Sequence, residues 1–287
     1  MNVRIRPSDE GDAETCGRIC YEAFKDIADR HQFRPDFPSP EFAVQLAQSL
    51  IAHPQIFGVV AESEEGIVGS NYLWEYDAIR AVGPITVDPR IQAKGAGRKL
   101  MEAVIEHGSG SEGIRLVQDA FNTASLSLYA SLGFDVKEPL VMIESEISGD
   151  FPASMEVRPL READLVGCAE LCKRVHGFGR TNELKNTPPF LTSFVAVRDG
   201  RVTAYASAPH FWAMNHAVAE NEEEMRALLT GVGNLSAQPL SFLLPTRQAG
   251  LFRWCLKKGM RVVKPLTLMA MGKYQEPRGC YLPSVGY

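Results

Sequence analysis

Residues 90–99 combine glycine and positive charge in a pattern that suits a bound phosphate. Gly95 and Gly97 are separated by one residue, and four basic residues surround them: Arg90, Lys94, Arg98 and Lys99. Glycine has no Cβ, so backbone N–H groups can converge on an anion at such a loop. The helical apolar spacing that follows would add the positive end of a helix dipole. We infer a site for a phosphorylated ligand.

Several kinds of loop place glycines in this way before a helix. A P-loop requires Lys and then Ser or Thr after its last glycine, but Gly97 is followed by Arg98-Lys99. A dinucleotide fingerprint requires a third glycine, where this chain has Leu100, so that match is weak. On the loop alone, a plain strand–turn–helix with a glycine turn also stays open.

The spacing Gln92-x-x-Gly95-x-Gly97 resembles the pyrophosphate loop of the GNAT acyltransferases, which bind acetyl-CoA there. A second segment, from Asn122 to Tyr129-Ala-Ser-Leu-Gly-Phe134, is similar to the closing segment of that family. The two segments occur in the family's order and at about its distance. Together they identify the chain as a GNAT member.

The resemblance implies direct transfer of an acetyl group from acetyl-CoA to an amine. Tyr129 would protonate the departing thiolate. Strand residues 78–87 carry Arg80 but no central carboxylate, so Glu75 and Asp77 become the candidate bases, with solvated turn residues as the competing interpretation. The resemblance assigns cofactor binding to Ile85, Val87, Gln92, Lys94, Gly95, Ala96, Gly97, Arg98, Lys99 and Asn122.

The acceptor is expected to be a small-molecule or peptide amine. The resemblance implies that the loop at 29–40 helps to wall its pocket, with a rigid surface connector as the alternative. Residues at the end of the third strand are further candidate walls, with core packing as the alternative for the aromatic residues. The candidate acceptor residues are His31, Phe33, Trp74, Tyr76 and Arg80. A non-catalytic acyl-CoA-binding regulatory module is the alternative function, and a nucleotide-dependent oxidoreductase is disfavoured by the missing third glycine.

Apolar periodicity supplies the elements that position these residues. A strand is expected at 3–7, a helix after Asp12, and a second helix along Phe42, Leu46 and Leu50. Further expected elements are strands at 56–61, 67–76, 78–87 and 114–120, a helix from Arg98, and a helix at 125–132.

The pattern then repeats. Arg6-Pro7…Asp12…Cys16…Cys20 reappears as Arg158-Pro159…Asp164…Cys168…Cys172, and Gly133-Phe134 reappears as Gly259-Met260. We predict an α/β (α+β) chain of two tandem GNAT-like domains, each a mixed, mostly antiparallel twisted sheet flanked by helices. The first copy (residues 1–147) would bind acetyl-CoA and catalyse.

The second copy (residues 155–287) is expected to be degenerate, with a structural or pocket-forming role. It has no glycine loop; Gln248 and Cys255 replace Asn122 and Tyr129, and Glu222-Glu223-Glu224 would repel a pyrophosphate. Its tail from Tyr274 onward is expected to fold back onto the first copy or to fray.

Composition excludes several classes of partner. The net charge is −5, which does not suggest a nucleic-acid partner. No run of 18 apolar residues and no signal peptide are found, so we expect a cytoplasmic monomer or homodimer without a membrane partner. Six cysteines are expected to be small buried side chains; a zinc site made by the Cys16/Cys20 and Cys168/Cys172 pairs is a weaker alternative, and no metal is predicted.

Overall fold

The computed structural model describes residues 3–91, 95–188 and 190–286. Two compact units can be distinguished. The first comprises residues up to Leu116 together with Phe121–Phe134, and the second comprises Val117–Ala120 together with the residues from Asp135 onward. The predicted cofactor contacts Gln92 and Lys94 lie outside the described residues.

The first unit is a sheet flanked by four helices. The helices are α1 (Ala13–His31), α2 (Pro40–Ala52), α3 (Ala96–His107) and α4 (Thr123–Ser131). The strands are β1 (Arg4–Pro7), β2 (Ile56–Ser63), β3 (Gly66–Trp74), β4 (Ile79–Val82), β5 (Thr86–Val87) and β6 (Gly113–Asp119), the last of which ends in residues of the second unit. The strand order is β1-β2-β3-β4-β6, with β5 on β3. Among the described strand pairs of the first unit, β4 and β6 are parallel and the others are antiparallel.

Helices α1 and α2 pack closely because Gly17 leaves room for the backbone of Val44. The helix expected after Asp12 is present, and Cys16, Ile19 and Cys20 on its apolar face are buried. Ser39 caps α2 by accepting the N–H of Phe42, and Pro40 at the first helical position has no N–H to satisfy. Residues 32–39 therefore form a short irregular connection between two fixed helix ends.

The second unit contains two antiparallel sheets. The first has the order β13-β7-β12 and the second has the order β14-β11-β10-β9-β8. The strands are β7 (Asp135–Ser145), β8 (Met155–Pro159), β9 (Phe194–Arg198), β10 (Arg201–Ala206), β11 (Ala217–Ala219), β12 (Leu240–Pro245), β13 (Arg261–Gly272) and β14 (Cys280–Leu282). The helices are α5 (Leu165–His176), α6 (Thr181–Lys185), α7 (Glu222–Leu235) and α8 (Ala249–Lys257).

Strand β7 lies in the second compact unit. The sequence places this strand in the domain 1–147, but β7 pairs with β12 along one edge and with β13 along the other. Leu240 lies opposite Ser145, and Arg261 lies opposite Glu144. Backbone hydrogen bonds on both edges group residues 135–145 with the second unit, and this long-range pairing has no signature within the strand itself.

The repeat is visible in matching local contacts. Arg6 donates to both carboxylate oxygens of Asp12 at 2.7 and 2.9 Å, and Arg158 does the same to Asp164 at 2.6 and 2.9 Å. Gly133 and Gly259 both have positive φ angles, 97° and 83°, immediately after equivalent helices. The tandem arrangement and the mixed α and β fold are thereby confirmed.

Three further expectations can be compared with the described residues. All six cysteines are buried and none is in a disulfide. The tail does not fray at its strand, since β14 pairs with β11 within the second unit. No helix in the part of the chain that the structure describes has the length and apolarity needed to cross a membrane.

Candidate functional site

The stretch expected as one strand up to Val87 is interrupted by a bulge. Leu73 pairs with Val82, and Ser70 pairs with Thr86. Two residues of β3 therefore face three residues, Gly83, Pro84 and Ile85, on the other chain segment. The indole N–H of Trp74 donates to the carbonyl oxygen of Gly83 at 2.6 Å, which holds the bulge in place.

A tight turn leads from β5 into the glycine loop. The N–H of Arg90 donates to Oδ1 of Asp88 at 2.9 Å, and the Arg90 guanidinium binds both oxygens of the same carboxylate at 3.0 and 2.7 Å. These hydrogen bonds from Arg90 lower the pKa of the buried Asp88 carboxyl. The charge of Arg90 is thus shared with Asp88, and this arginine contributes less positive field to the loop than the sequence suggests.

Helix α3 begins without a side-chain cap. Gly95 is its N-cap, in the left-handed region at φ 91°, and the first turn contains no acidic residue. The carbonyl of Gly95 accepts the N–H of Lys99 at 3.0 Å, which leaves the preceding N–H groups of the turn directed along the helix axis. Such a terminus has the geometry of an anion site.

Gly97 is not required by its own surroundings. A Cβ built at this position would lie 3.6 Å from Cδ2 of Leu128 and 3.8 Å from Cγ2 of Val87, which are ordinary contact distances. Helix interiors favour Ala over Gly, so packing alone gives no reason for a glycine here. The close approach of a ligand does give one.

The predicted basic residues at this end of α3 have partners within the first unit. Arg98 donates to Oγ of Ser131 at 2.7 Å, which connects the start of α3 to the end of α4. The amine of Lys99 donates to the carbonyl of Val3 at 2.9 Å. Ala96 is fully buried. Backbone N–H groups are therefore the donors that the described residues offer most directly to an anion.

Asn122 and Tyr129 frame helix α4. The side chain of Asn122 caps the helix by accepting the N–H of Ser125 at 3.1 Å. Tyr129 is 6% exposed, and its ring contacts that of Phe134 edge-on at 6.5 Å between centroids. Because Leu128 lies beside Gly97, the residue before Tyr129 is in the immediate neighbourhood of the glycine loop.

The end of α1 joins this region through an aromatic cluster. Phe33 stacks on Phe121 with 4.4 Å between ring centroids, and His31 lies 5.0 Å from the same ring. The structure thus brings two predicted acceptor residues next to Asn122. Sequence reasoning missed Phe121, although its position immediately before Asn122 could have indicated it.

Trp74 and Tyr76 form a second aromatic group, in which their rings meet edge-on at 5.6 Å. Tyr76 also meets the ring of His53, and the hydroxyl oxygen lies 3.5 Å from Nε2 of that histidine. The indole N–H of Trp74 is committed to Gly83, while its ring packs against Tyr76.

Glu75 and Arg80 are not brought to the glycine loop. Oε1 of Glu75 pairs with Arg80 at 2.7 Å, and Oε2 lies 3.2 Å from Nε2 of His107. His107 ends α3, whereas Gly95 precedes it, and twelve residues of helix span about 18 Å. Glu75 is partly buried in this ion-pair network, and Asp77 follows it in the turn before β4.

The equivalent helix of the second copy, α7, is closed to an anion. Asn221 caps it by accepting the N–H of Glu224, and Glu224 pairs with Arg198 at 2.8 Å. Oε2 of Glu224 also accepts the hydroxyl of Thr203 at 2.5 Å. Protein groups thus supply both the cap and the negative charge that a phosphate would supply.

One cluster in the second unit has the composition of a metal site. Ligand atoms of Cys172, His176 and His216 lie within 4.8 Å of one another. Arg180 lies 3.0 Å from Nδ1 of His216, and since arginine only donates, the proton of this imidazole belongs on Nε2, 2.9 Å from the hydroxyl oxygen of Tyr205. Burial, reinforced by Arg180, lowers the pKa of His216. The cluster is explained as a buried hydrogen-bond network around a neutral histidine.

Comparisons with known proteins agree with this arrangement. The acetyltransferase (GNAT) family model matches residues 21–134, which include Gly95, Gly97, Asn122 and Tyr129. No curated protein has a matching sequence.

Solved structures match nearly the whole chain. A proposed acetyltransferase from Pyrococcus horikoshii is 18% identical, with 97% of this chain and 92% of that chain covered and a TM-score of 0.70. A GCN5-related N-acetyltransferase from Sphaerobacter thermophilus is 14% identical, with 96% of each chain covered and a TM-score of 0.63. A tandem GNAT protein from the clavulanic acid biosynthesis pathway is 14% identical, with 96% and 100% covered and a TM-score of 0.60. At these identities the three show the fold alone. Residues 21–134 thus match the acetyltransferase (GNAT) family, and nearly the whole chain has the fold of these solved structures.

Proposed function

We propose that the chain is an N-acetyltransferase that binds one acetyl-CoA in its first copy. The match of residues 21–134 to an acetyltransferase family supports acyl transfer in general. The observation that carries the finer proposal is the start of α3, with a left-handed glycine cap and no acidic residue, where α7 has Asn221 and three glutamates. The N-terminus of α3 has no side-chain cap, whereas that of α7 is capped by the chain itself. This difference indicates that a diphosphate binds at the start of α3.

The cofactor would be held mainly by backbone. N–H groups at Gly95–Arg98 would bind the diphosphate, with Gln92 and Lys94 as further predicted contacts. The segment Ile85–Val87 would bind the pantetheine arm, because the bulge beside Trp74 separates Gly83–Ile85 from regular pairing with β3. Asn122, held at the start of α4, would contact the same arm.

Acetyl-CoA supplies an activated acyl group as a thioester. Tyr129 acts as general acid and gives its hydroxyl proton to the leaving sulfur. The Tyr129 side chain is buried in the first unit. The amine must lose a proton, and Glu75 and Asp77 stay the predicted bases, although Glu75 is engaged by Arg80 and His107.

The acceptor is proposed to be a small-molecule or peptide amine bound in the cytoplasm. His31, Phe33 and Phe121 would offer it a largely apolar wall next to Asn122. Trp74 and Tyr76 are the second predicted wall. Arg80 is less available to an anionic acceptor than the sequence suggests, because it pairs with Glu75.

The proposal is tested by a substitution that adds a single methyl group to the glycine loop. Gly97→Ala should raise the melting temperature slightly, because Ala is the better helix former, and should weaken acetyl-CoA binding by at least about tenfold. Gly110→Ala is the matched control, since a Cβ there meets open space. Calorimetric titration measures binding, and release of free thiol with a panel of amines separates an enzyme from a binding module. Unchanged affinity in Gly97→Ala would remove the diphosphate from this loop.

A further inference from the structure

The edge strand β11 of the second copy is equivalent to the bulged segment of the first. Ala206 pairs with Ala217. Gly66-Ile-Val68 reappears in the second copy as Gly200-Arg-Val202, an offset of 134, and the same offset takes this pair to Tyr72 and Gly83. The N–H of Gly83 donates to the carbonyl of Tyr72 at 2.9 Å, so the two pairs occupy the same place in the two copies. Strand β11 therefore corresponds to residues 83–85, next to the proposed binding site of the pantetheine arm.

In the second copy this place has an occupant. Strand β14 pairs antiparallel with the edge of β11 that β10 leaves open, with Val218 opposite Tyr281 and Ala219 opposite Cys280. Gly279 precedes β14, and a Cβ on it would lie 2.8 Å from the carbonyl oxygen of Ala219. The backbone of the tail thus packs directly against the backbone of β11.

The side chain of Gln248 binds β14 from the side opposite β11. By the repeat, Gln248 stands where the first copy has Asn122, the predicted cofactor contact. Its side-chain amide donates to the carbonyl of Tyr281 at 2.6 Å and accepts the N–H of Tyr281 at 3.1 Å. One carboxamide therefore satisfies both backbone groups of a single tail residue, as a neighbouring strand would.

Burial and anchoring hold the tail firmly. Cys280, Tyr281 and Leu282 are each at most 3% exposed. The guanidinium of the buried Arg180 donates to the carbonyl of Gly286 at 2.7 Å and to the hydroxyl of Ser284 at 3.3 Å. The same guanidinium belongs to the His216 network, so the cluster that resembles a metal site serves to fix the end of the chain.

We propose that residues 279–286 are a built-in ligand, which occupies in the second copy the place that acetyl-CoA takes in the first. The equivalence of the two places rests on the proposed function, whereas the binding of the tail by β11, Gln248 and Arg180 does not. The tail substitutes for the pantetheine arm, and Asn221 with Glu224 substitutes for the diphosphate at α7. The second copy thereby keeps the fold of a loaded transferase without a cofactor.

The experiment separates the tail from the chain after folding. A protease site replacing residues 273–277, which lie outside regular structure, allows the folded full-length protein to be cut. We expect the tail to stay bound after the cut, and its loss on dilution or mild denaturant to lower the melting temperature. Added synthetic peptide 278–287 should restore that temperature. A cut protein that loses its tail at once and keeps its melting temperature would overturn the proposal.

A point substitution gives a second readout. Gln248→Ala should accelerate amide exchange of residues 280–282 by at least about tenfold, because two hydrogen bonds to Tyr281 are lost. Gln238→Ala removes an exposed glutamine of the same unit and should leave exchange unchanged. Equal exchange in both variants would contradict the role of Gln248.

These readouts need no acyl-CoA, so they fail or succeed independently of the proposed function. The link between the copies is tested by Asn122→Ala. This variant should weaken acetyl-CoA binding and leave tail exchange unchanged, whereas Gln248→Ala should do the reverse. If both variants weakened acetyl-CoA binding equally, Gln248 would not be the tail-binding counterpart of Asn122.

Discussion

At the scale of single residues, Tyr129 bears the most chemistry in the proposed reaction. If it protonates the leaving sulfur, Tyr129→Phe should lower kcat by about 10²–10⁴-fold and leave acetyl-CoA affinity within about twofold. Phe keeps the ring that meets Phe134, so the fold should be retained. Steady-state kinetics and calorimetry measure the two quantities. A rate within about threefold of wild type would reduce Tyr129 to a wall of the site.

The repeated arginine–aspartate pairs make stability depend on pH. Hydrogen bonds from Arg158 hold the pKa of Asp164 below its usual 3.8. A carboxyl whose pKa is lower in the folded than in the unfolded state stabilises the protein at pH values above its unfolded-state pKa. This stabilisation is lost as the pH falls through the folded-state pKa. Asp164→Asn should therefore cost about 2 kcal/mol at pH 7, and its deficit relative to wild type should shrink below about pH 4.

Urea unfolding at several pH values measures this deficit. The exposed Asp150→Asn is the control and should show no comparable loss at pH 7. A deficit of Asp164→Asn that stays constant down to pH 3 would contradict the ionic origin of the effect.

Which residues could be predicted depended on whether their role is local. Gly95 was identified because the turn before a helix needs a specific residue at a fixed spacing, whereas Arg6…Asp12 and Arg158…Asp164 were recognised as a repeat and not as ion pairs. Phe121 was missed because its partners, His31 and Phe33, are distant in sequence. The pairing of Glu75 with Arg80 and His107 depends on where α3 ends in space, which no spacing reveals.

At the scale of elements, the bulge opposite β3 is the feature that shapes the proposed arm-binding segment. Trp74→Phe removes the N–H that donates to Gly83 and should weaken acetyl-CoA binding about fivefold, the value of one ordinary hydrogen bond. Trp254→Phe, in α8 of the second unit, is the control. Equal affinities in the two variants would show that the bulge is fixed by other contacts.

The elements themselves were largely predictable, because apolar periodicity reports which face of a helix or strand is buried. Helix α3 begins two residues before the expected Arg98, since Gly95 already adopts the cap conformation. The bulge was not predicted. Residues 81–87 read as one apolar run, and the extra residue becomes visible only when β3 is placed beside them.

At the scale of the whole molecule, two copies of the fold should bind one cofactor. In the second copy, Asn221 and Glu224 fill the terminus of α7, and β14 fills the edge of β11. Calorimetric titration of the full chain should therefore give one acetyl-CoA per chain. Two equivalent sites would contradict this assignment of the second copy.

The pairing of β7 with β12 and β13 makes residues 1–147 unsuited to independent expression. A fragment of residues 1–147 ends in β7, whose Leu140, Met142 and Ile143 are buried in the full chain and whose two edges pair with β12 and β13. Without those strands the fragment exposes an apolar strand with two open edges, which is a template for aggregation. We expect it to be insoluble or to bind acetyl-CoA weakly. Changing Met142 and Leu140 to Lys in the fragment should restore solubility, because charge on such a strand opposes pairing between copies. A soluble and fully active unmodified fragment would show that the second copy gives the first no support.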